Sequence, residues 1–137
     1  QKSYYDIVIC LEPTSPFTST TDINLALEEF VKTKSSSLVS VVKSGKFSLN
    51  YHFKRNAKNF LTSISKKNQT NTPRQEVKQT YILDGSLYIS SVVSFLKQKG
   101  FVSKKTYGFV MPEWKSIEID DKKDFQIARL LSKMYAR

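Results

Sequence analysis

An unbroken apolar run, Ile7-Val8-Ile9-Cys10-Leu11, ends directly at Glu12-Pro13-Thr14-Ser15-Pro16. A run this short and this rich in β-branched residues predicts a strand buried on both faces, as in a parallel α/β sheet. The two prolines forbid helix and strand ladder immediately afterwards, which leaves the polar residues on a fixed loop at the carboxyl end of the strand. In open α/β sheets that edge is where ligands bind. The junction points to a site without naming a reaction.

The rest of the chain alternates. Thr18 to Thr21 with Asp22 supply a helix start, and Ile23, Ala26, Leu27, Phe30 and Val31 keep helical spacing to about Lys34. Leu38 to Val42 reads as a second short strand, and Leu49, Tyr51 and Phe53 alternate as a half-exposed strand would. Asn68 to Thr72 reads as a loop. Thr80 to Leu83 and Leu87 to Ile89 read as strands on either side of a turn at Asp84-Gly85. Ser90 or Ser91 caps a short helix carrying Val92, Val93, Phe95 and Leu96, with Gly100 as its stop. Tyr107 to Met111 form another strand, ended by Pro112. Asp120 or Asp121 then opens a last helix with Phe125, Ala128, Leu131 and Tyr135 on its buried face. Strands alternating with helices predict an α/β fold with a largely parallel sheet.

Charge locates a second region. The net charge is +10, and the segment from Lys43 to Leu83 holds nine basic residues against the single acid Glu76. Phe47, Tyr51, Phe53 and Phe60 are interleaved with those charges, a composition compatible with RNA or single-stranded DNA. A solvated, lysine-rich insertion explains the same composition more simply, and a phosphate-bearing small molecule would also be drawn to such a field. At 137 residues the chain forms a single domain with a real core, 39% hydrophobic and 25% charged like an ordinary globular protein. No apolar stretch approaches the roughly 18 residues of a membrane span, and no charged-then-apolar leader is present. The single Cys10 excludes a disulfide framework, fits a reducing, cytoplasmic setting, and reads as a packed core residue. The chain opens on Gln1 rather than methionine, so a piece of something longer is expected.

Most chemistry markers are missing. His52 is the only histidine, which leaves no zinc cluster and no supported serine–histidine–acid triad. The four glycines, Gly45, Gly85, Gly100 and Gly108, are isolated and form no phosphate loop. Trp114 reads as cover for core or interface. One acidic pair stands out: Glu118 and Asp120 are two apart in Ser116-Ile117-Glu118-Ile119-Asp120, which in extended chain turns both carboxylates to one face. An oxygen-only pair suits magnesium, which keeps waters and takes phosphates as further ligands. A simpler alternative has Asp120 capping the last helix and Glu118 in solvent.

In combination these elements resemble a family. Leu11 to Pro16 is similar to the L-x-P-T-S-P loop of acylneuraminate cytidylyltransferases, the CMP-sialic acid synthetases. In the same order, Leu38 to Val42 resembles their S-V-V-S-type strand, Pro73-Arg74-Gln75 their P-R-Q element, Asp84 to Ile89 their N-G-A-I-Y-I segment, and Ser116 to Asp124 their S-I-D-I-D-x-x-x-D segment. The resemblance covers nearly the whole chain. It implies a partial Rossmann-like nucleotide-diphospho-sugar transferase fold, with a mostly parallel sheet and helices on both faces. Residues 1–42 and 84–137 would form the core and 43–83 a dimerisation insertion.

The resemblance implies transfer of CMP from CTP to the anomeric hydroxyl of a nine-carbon 2-keto acid, with release of pyrophosphate. Glu118 and Asp120 match the carboxylates that hold Mg2+, and Arg74 and Asp120 the residues closest to the chemistry. Arg74 and Gln75 match the sugar pocket, where a guanidinium fork suits the substrate carboxylate. Glu12, Thr14 and Ser15 match the loop facing sugar and nucleotide, Asp84, Gly85 and Tyr88 the pocket wall, and Phe101 its far side. The partners implied are CTP, a nonulosonic acid and a second copy of the chain in a homodimer, with neither membrane nor nucleic acid required.

Departures from the pattern are concentrated around the sugar. Glu12 stands where glutamine is common and Asp84 where asparagine is usual, so acceptors replace amide donors. Ile82 occupies the place of a frequent second arginine, and Asn50 lies near an expected lysine. The implied substrate is a related nonulosonic acid, such as legionaminic or pseudaminic acid. The A-R-G-G-S-K-G-type loop that cradles CTP phosphates has no counterpart. A carboxyl-terminal part of a synthetase is therefore expected, inactive as a cytidylyltransferase on its own. A basic nucleic-acid-binding module and a catalytically dead dimerisation fragment are the alternatives.

Overall fold

The computed structural model describes residues 4–45, 48–65 and 78–135. The elements in chain order are β1 (Ile7–Leu11), α1 (Thr20–Thr33), β2 (Ser37–Lys43), β3 (Phe53–Arg55), β4 (Leu61–Ser63), β5 (Tyr81–Ser91), α2 (Val92–Gln98), β6 (Thr106–Val110) and α3 (Lys122–Tyr135). The chain divides into two compact units, residues 1–42 with 83–137 and residues 43–82.

Local chemistry sets the bounds of α1. The Ser19 hydroxyl accepts the Asp22 N–H at 3.3 Å while the Asp22 carboxylate accepts the Ser19 N–H at 2.8 Å, a reciprocal capping box. The helix ends at Lys34, which turns left-handed with φ 51° and donates its N–H to the Val31 carbonyl. Between those caps, Ala26 and Phe30 pack on Leu38 of β2 and on Leu87 and Ile89 of β5, flanked by Ile23, Leu27 and Phe109. Leu38, Leu87 and Ile89 are fully buried, each contributing roughly 1.5–3 kcal/mol of transfer free energy.

The main sheet has the order β1-β5-β2-β6. β1 pairs antiparallel with β5, Ile9 facing Ile89, and β2 pairs parallel with β6, Val39 facing Gly108. β5 also runs antiparallel to β2, since Ser91 bonds beside Ser36 while Leu87 bonds beside Ser40. The sheet is therefore mixed, not mostly parallel as expected. β1, β2 and β6 share one direction, and β5 is inserted against it. Helix α1 covers the Leu38–Leu87–Ile89 face, and Phe101, itself packed on Phe95 of α2, meets Tyr88, which alternation places on the other face.

Several element readings are corrected. β1 is not buried on both faces: it is an edge strand in the described sheet, with Ile7, Ile9 and Leu11 between 36% and 48% exposed. An apolar run reports that a strand packs, not where in the sheet it lies. Cys10 on that edge is accordingly half-buried rather than a packed core residue. Asp84-Gly85 is not a turn between two strands, because β5 passes through Gly85 at φ 78° without leaving the sheet. Leu49 to Tyr51 form a 3-10 turn, and only Phe53 begins a strand. In α3, Ala128 is buried, but Phe125 and Tyr135 are largely exposed. Tyr135 still finds cover by stacking on Trp114 at 4.5 Å, with Phe17 against the same indole at 5.5 Å.

The second unit contains an antiparallel hairpin of β3 and β4, Phe53 facing Ser63 and Arg55 facing Leu61. Asn59 closes it in the left-handed region at φ 69°, and the Asn56 carboxamide oxygen accepts the Lys58 and Phe60 N–H groups at 3.0 Å. Phe53, Phe60, Leu61 and Ile64 are exposed. His52 is exposed, its Nδ1 3.0 Å from the Ser48 carbonyl.

Candidate functional site at the carboxyl edge of the sheet

Strand direction brings distant residues to one edge. β1 and β6, the two outer strands, both end there, so the Glu12–Pro16 loop and the segment after Pro112 leave from the same end of the sheet. Antiparallel β5 enters at that same edge and supplies Asp84 and Gly85. The Thr14 carbonyl accepts the Ile119 N–H at 2.9 Å, which joins the first loop to the last. The Ser15 N–H turns back to the Glu12 carbonyl at 3.1 Å. Ser15 is buried, and its hydroxyl has no partner among the described residues.

Tyr88 lies at the centre of the group. Burial first, then the charges of Glu12, Glu118 and Asp84 with a further contribution from Cys10, push its phenol above the ordinary value. One wall of the site is thus acidic. The other is aromatic: the Tyr88 ring meets Phe101 at 5.3 Å, and Phe101 meets Phe95 at 4.8 Å. Cys10 Sγ lies 3.9 Å from Glu12 Oε1.

The Glu118 carboxylate rests against Gly85. A Cβ built on Gly85 would lie 3.3 Å from Oε2 and 3.4 Å from Oε1, so glycine leaves the space that the carboxylate uses. Glu118 is exposed, which leaves its carboxylate accessible to a hard cation such as magnesium. Among the described residues no group of three or more His, Cys, Asp and Glu side chains is disposed to hold a metal, so a cation at Glu118 would take other ligands from water and phosphate. Asp120 stands at the entry to α3, its N–H 3.3 Å from Asp124 Oδ2. The cap of that helix belongs to Asp121, whose Oδ1 accepts the Lys123 and Asp124 N–H groups at 2.7 and 2.9 Å.

The structure therefore gathers Glu12, Asp84, Gly85, Tyr88, Phe101 and Glu118, and ties Thr14 to the segment that bears Glu118. Arg74 and Gln75 lie outside the described residues. Sequence reasoning did not find the supports beneath these groups. Lys115 pairs with Asp22 and lies 3.3 Å from the Ser19 hydroxyl. Burial alone would raise the Asp22 pKa, but Lys115 and the Ser19 hydroxyl and N–H outweigh it and hold the carboxyl below its ordinary value. A lysine directly after a tryptophan carries no spacing signal for a partner in α1.

The mixed sheet gathers acidic and aromatic groups at one loop edge, the place where open α/β sheets commonly take ligands. Comparison with known proteins is more specific. The chain is 27% identical over 132 residues to the post-translational flagellin modification protein B of Campylobacter coli, covering 96% of the chain and 55% of that protein. It is 31% identical over 52 residues to N-acylneuraminate cytidylyltransferases of Streptococcus agalactiae serotypes III and Ia, covering 38% of the chain and 13% of each. No family model matches. The chain is thus similar over part of its length to proteins named N-acylneuraminate cytidylyltransferase, and it spans about half the length of the Campylobacter coli protein. No helix among the described residues is long and apolar enough to cross a membrane.

Proposed function

We propose that this chain is part of a cytidylyltransferase that transfers CMP from CTP to a nonulosonic acid, releasing pyrophosphate, on a Rossmann-like nucleotide-diphospho-sugar transferase fold. The observation that carries the reading is the convergence of Glu12, Asp84, Gly85, Tyr88 and Glu118 at one sheet edge, from three separate stretches of sequence. Glu118 and Asp120 would hold magnesium, which when bound neutralises phosphate charge and acidifies the attacking sugar hydroxyl. Thr14 and Ser15 would orient the nucleotide side of the ligand. Glu12 would accept a hydrogen bond from the sugar, and the Tyr88–Phe101 wall would exclude water from its apolar face. Arg74 and Gln75 would meet the substrate carboxylate. Glu12, an acceptor where the family commonly carries an amide donor, favours a related nonulosonic acid such as legionaminic or pseudaminic acid over N-acetylneuraminate itself.

The β3–β4 hairpin supports a homodimer. An isolated two-stranded hairpin is marginal in water, and the exposed Phe53, Phe60, Leu61 and Ile64 would gain cover from a second copy. Pyrophosphate release tests the activity. The chain is assayed with CTP, Mg2+ and each of the three sugars, alone and joined to the portion of the Campylobacter coli protein that its match leaves uncovered. The expected result is no turnover alone and sugar-dependent turnover when joined, lost in Glu118→Gln and Asp120→Asn. Turnover that ignores the sugar, or that survives both substitutions, would overturn the reading.

A further inference from the structure

Asp84 is 7% exposed, and no cation pairs with it among the described residues. It is held by donors alone. Its Oδ1 accepts the Ser86 N–H at 3.3 Å, and its Oδ2 lies 3.0 Å from the Ser86 hydroxyl and 3.2 Å from the Ser116 hydroxyl. A carboxylate only accepts, so both hydroxyls must donate to it. The Ser86 oxygen in turn lies 3.1 Å from the Ser40 hydroxyl, which accepts the Leu87 N–H at 2.9 Å and has its single hydrogen within reach of either the Ser86 oxygen or the Leu87 carbonyl at 3.1 Å. A continuous polar path thus leads from the buried β2–β5 contact to Ser116, two residues before Glu118.

The path ends beside the Gly85 notch that receives the Glu118 carboxylate. Lys115, paired with Asp22, and Ile119, bonded to Thr14, fix the same segment from before and after. With three bonds accepted, Asp84 has little capacity left for a ligand. An asparagine there would present an amide donor on one side and force one serine hydroxyl to reverse.

We propose that Ser116 and Asp84 are positioning residues, whose hydrogen bond holds the Glu118 carboxylate in the Gly85 notch for a divalent cation, rather than sugar-binding residues. The inference rests on the reading of Glu118 as a metal ligand. Groups that orient a metal-binding carboxylate typically change affinity by about tenfold or more when removed.

Mn2+ alone serves as the probe, with the unbound ion counted by electron paramagnetic resonance and paramagnetic broadening followed at the Gly85 and Ile119 amides. Glu118→Gln is expected to abolish the site. Ser116→Ala and Asp84→Asn should each weaken binding about tenfold, while Ser116→Thr, which keeps the hydroxyl, stays within about twofold of the original chain. Circular dichroism and melting separate these effects from unfolding. Where Ser116→Ala does not fold, Asp84→Asn and the Thr rescue decide. Unchanged Mn2+ affinity in Ser116→Ala and Asp84→Asn, with affinity lost in Glu118→Gln, overturns the positioning role and leaves the metal reading intact. Unchanged affinity in Glu118→Gln overturns the metal reading, and the positioning role falls with it.

Discussion

Replacing Lys115 with methionine removes the cation that pairs with Asp22 while keeping much of the aliphatic stem. Exposed ion pairs contribute about 0–1 kcal/mol, and removing one partner of a fully buried pair costs roughly 3–5 kcal/mol. This pair lies near the buried end of that range, with side chains 15% and 11% exposed. Asp22 would retain the Ser19 N–H and hydroxyl, which soften the loss. Lys115 also gives up its position 5.5 Å from the centre of the Trp114 ring, a contact of about 0.5–1 kcal/mol. The expected destabilisation is about 2–3 kcal/mol at pH 7, read from urea unfolding followed by circular dichroism. The acid dependence carries a definite sign. Because the folded Asp22 pKa is depressed, the pair contributes fully above the unfolded value of about 3.9 and is lost as pH falls through the lower folded value. The gap between the original chain and Lys115→Met should therefore narrow below about pH 4. A loss under about 0.5 kcal/mol at pH 7, or a gap that widens in acid, would refute the reasoning.

Three further outcomes follow from the same geometry. Tyr88 is raised by burial and by Glu12, Glu118 and Asp84, so it should ionise after the ordinary tyrosines near pH 10 in a spectrophotometric titration. Glu12→Gln should bring that step down, and an unmoved step would show that Glu12 does not face the phenol. Because the folded value lies above the unfolded one, Tyr88 should contribute stability below about pH 10 that fades as pH rises further; Tyr88→Phe should lack that alkaline loss. The paired substitution Phe60→Ser with Leu61→Ser should shift light-scattering mass from dimer toward monomer, and an unchanged mass would remove the hairpin from the interface. Gly85→Ala should cost roughly 1–2 kcal/mol from the left-handed backbone alone and displace the Glu118 carboxylate, seen as altered Mn2+ broadening at the Ile119 amide.

What could be read in the sequence depended on whether its determinant was local. The start of α1 was legible because Ser19 and Asp22 form a cap within a single turn. β2 and β6 were legible because short apolar runs end at recognisable breaks, Pro112 in the second case. The placement of β1 was not, since the same five residues suit the middle or the edge of a sheet. The direction of β5 was hidden for a related reason: Asp84-Gly85 looks like a turn, yet the Ser86 N–H bonded to Asp84 lets the strand carry a positive φ and continue. Glu12, Asp84, Gly85, Tyr88 and Glu118 could be picked out one by one through family resemblance. The serines at 40, 86 and 116 could not, because small hydroxyl residues are common and acquire meaning only from the partner that three-dimensional packing supplies.

The exposed strand β1 bears on how this chain behaves in concentrated solution. Among the described residues it bonds to β5 on one side only, and Ile7, Ile9 and Leu11 stand open beside the unused backbone groups. Native sheets usually guard such an edge with charge, proline or a bulge, and this one carries none of them between Ile7 and Leu11. Left uncovered, it is a template for indiscriminate strand addition. Self-association through it would produce open-ended aggregates, unlike the closed pair proposed for the hairpin, so turbidity and Congo red binding that grow with protein concentration would report on the edge while a fixed twofold mass would report on the hairpin.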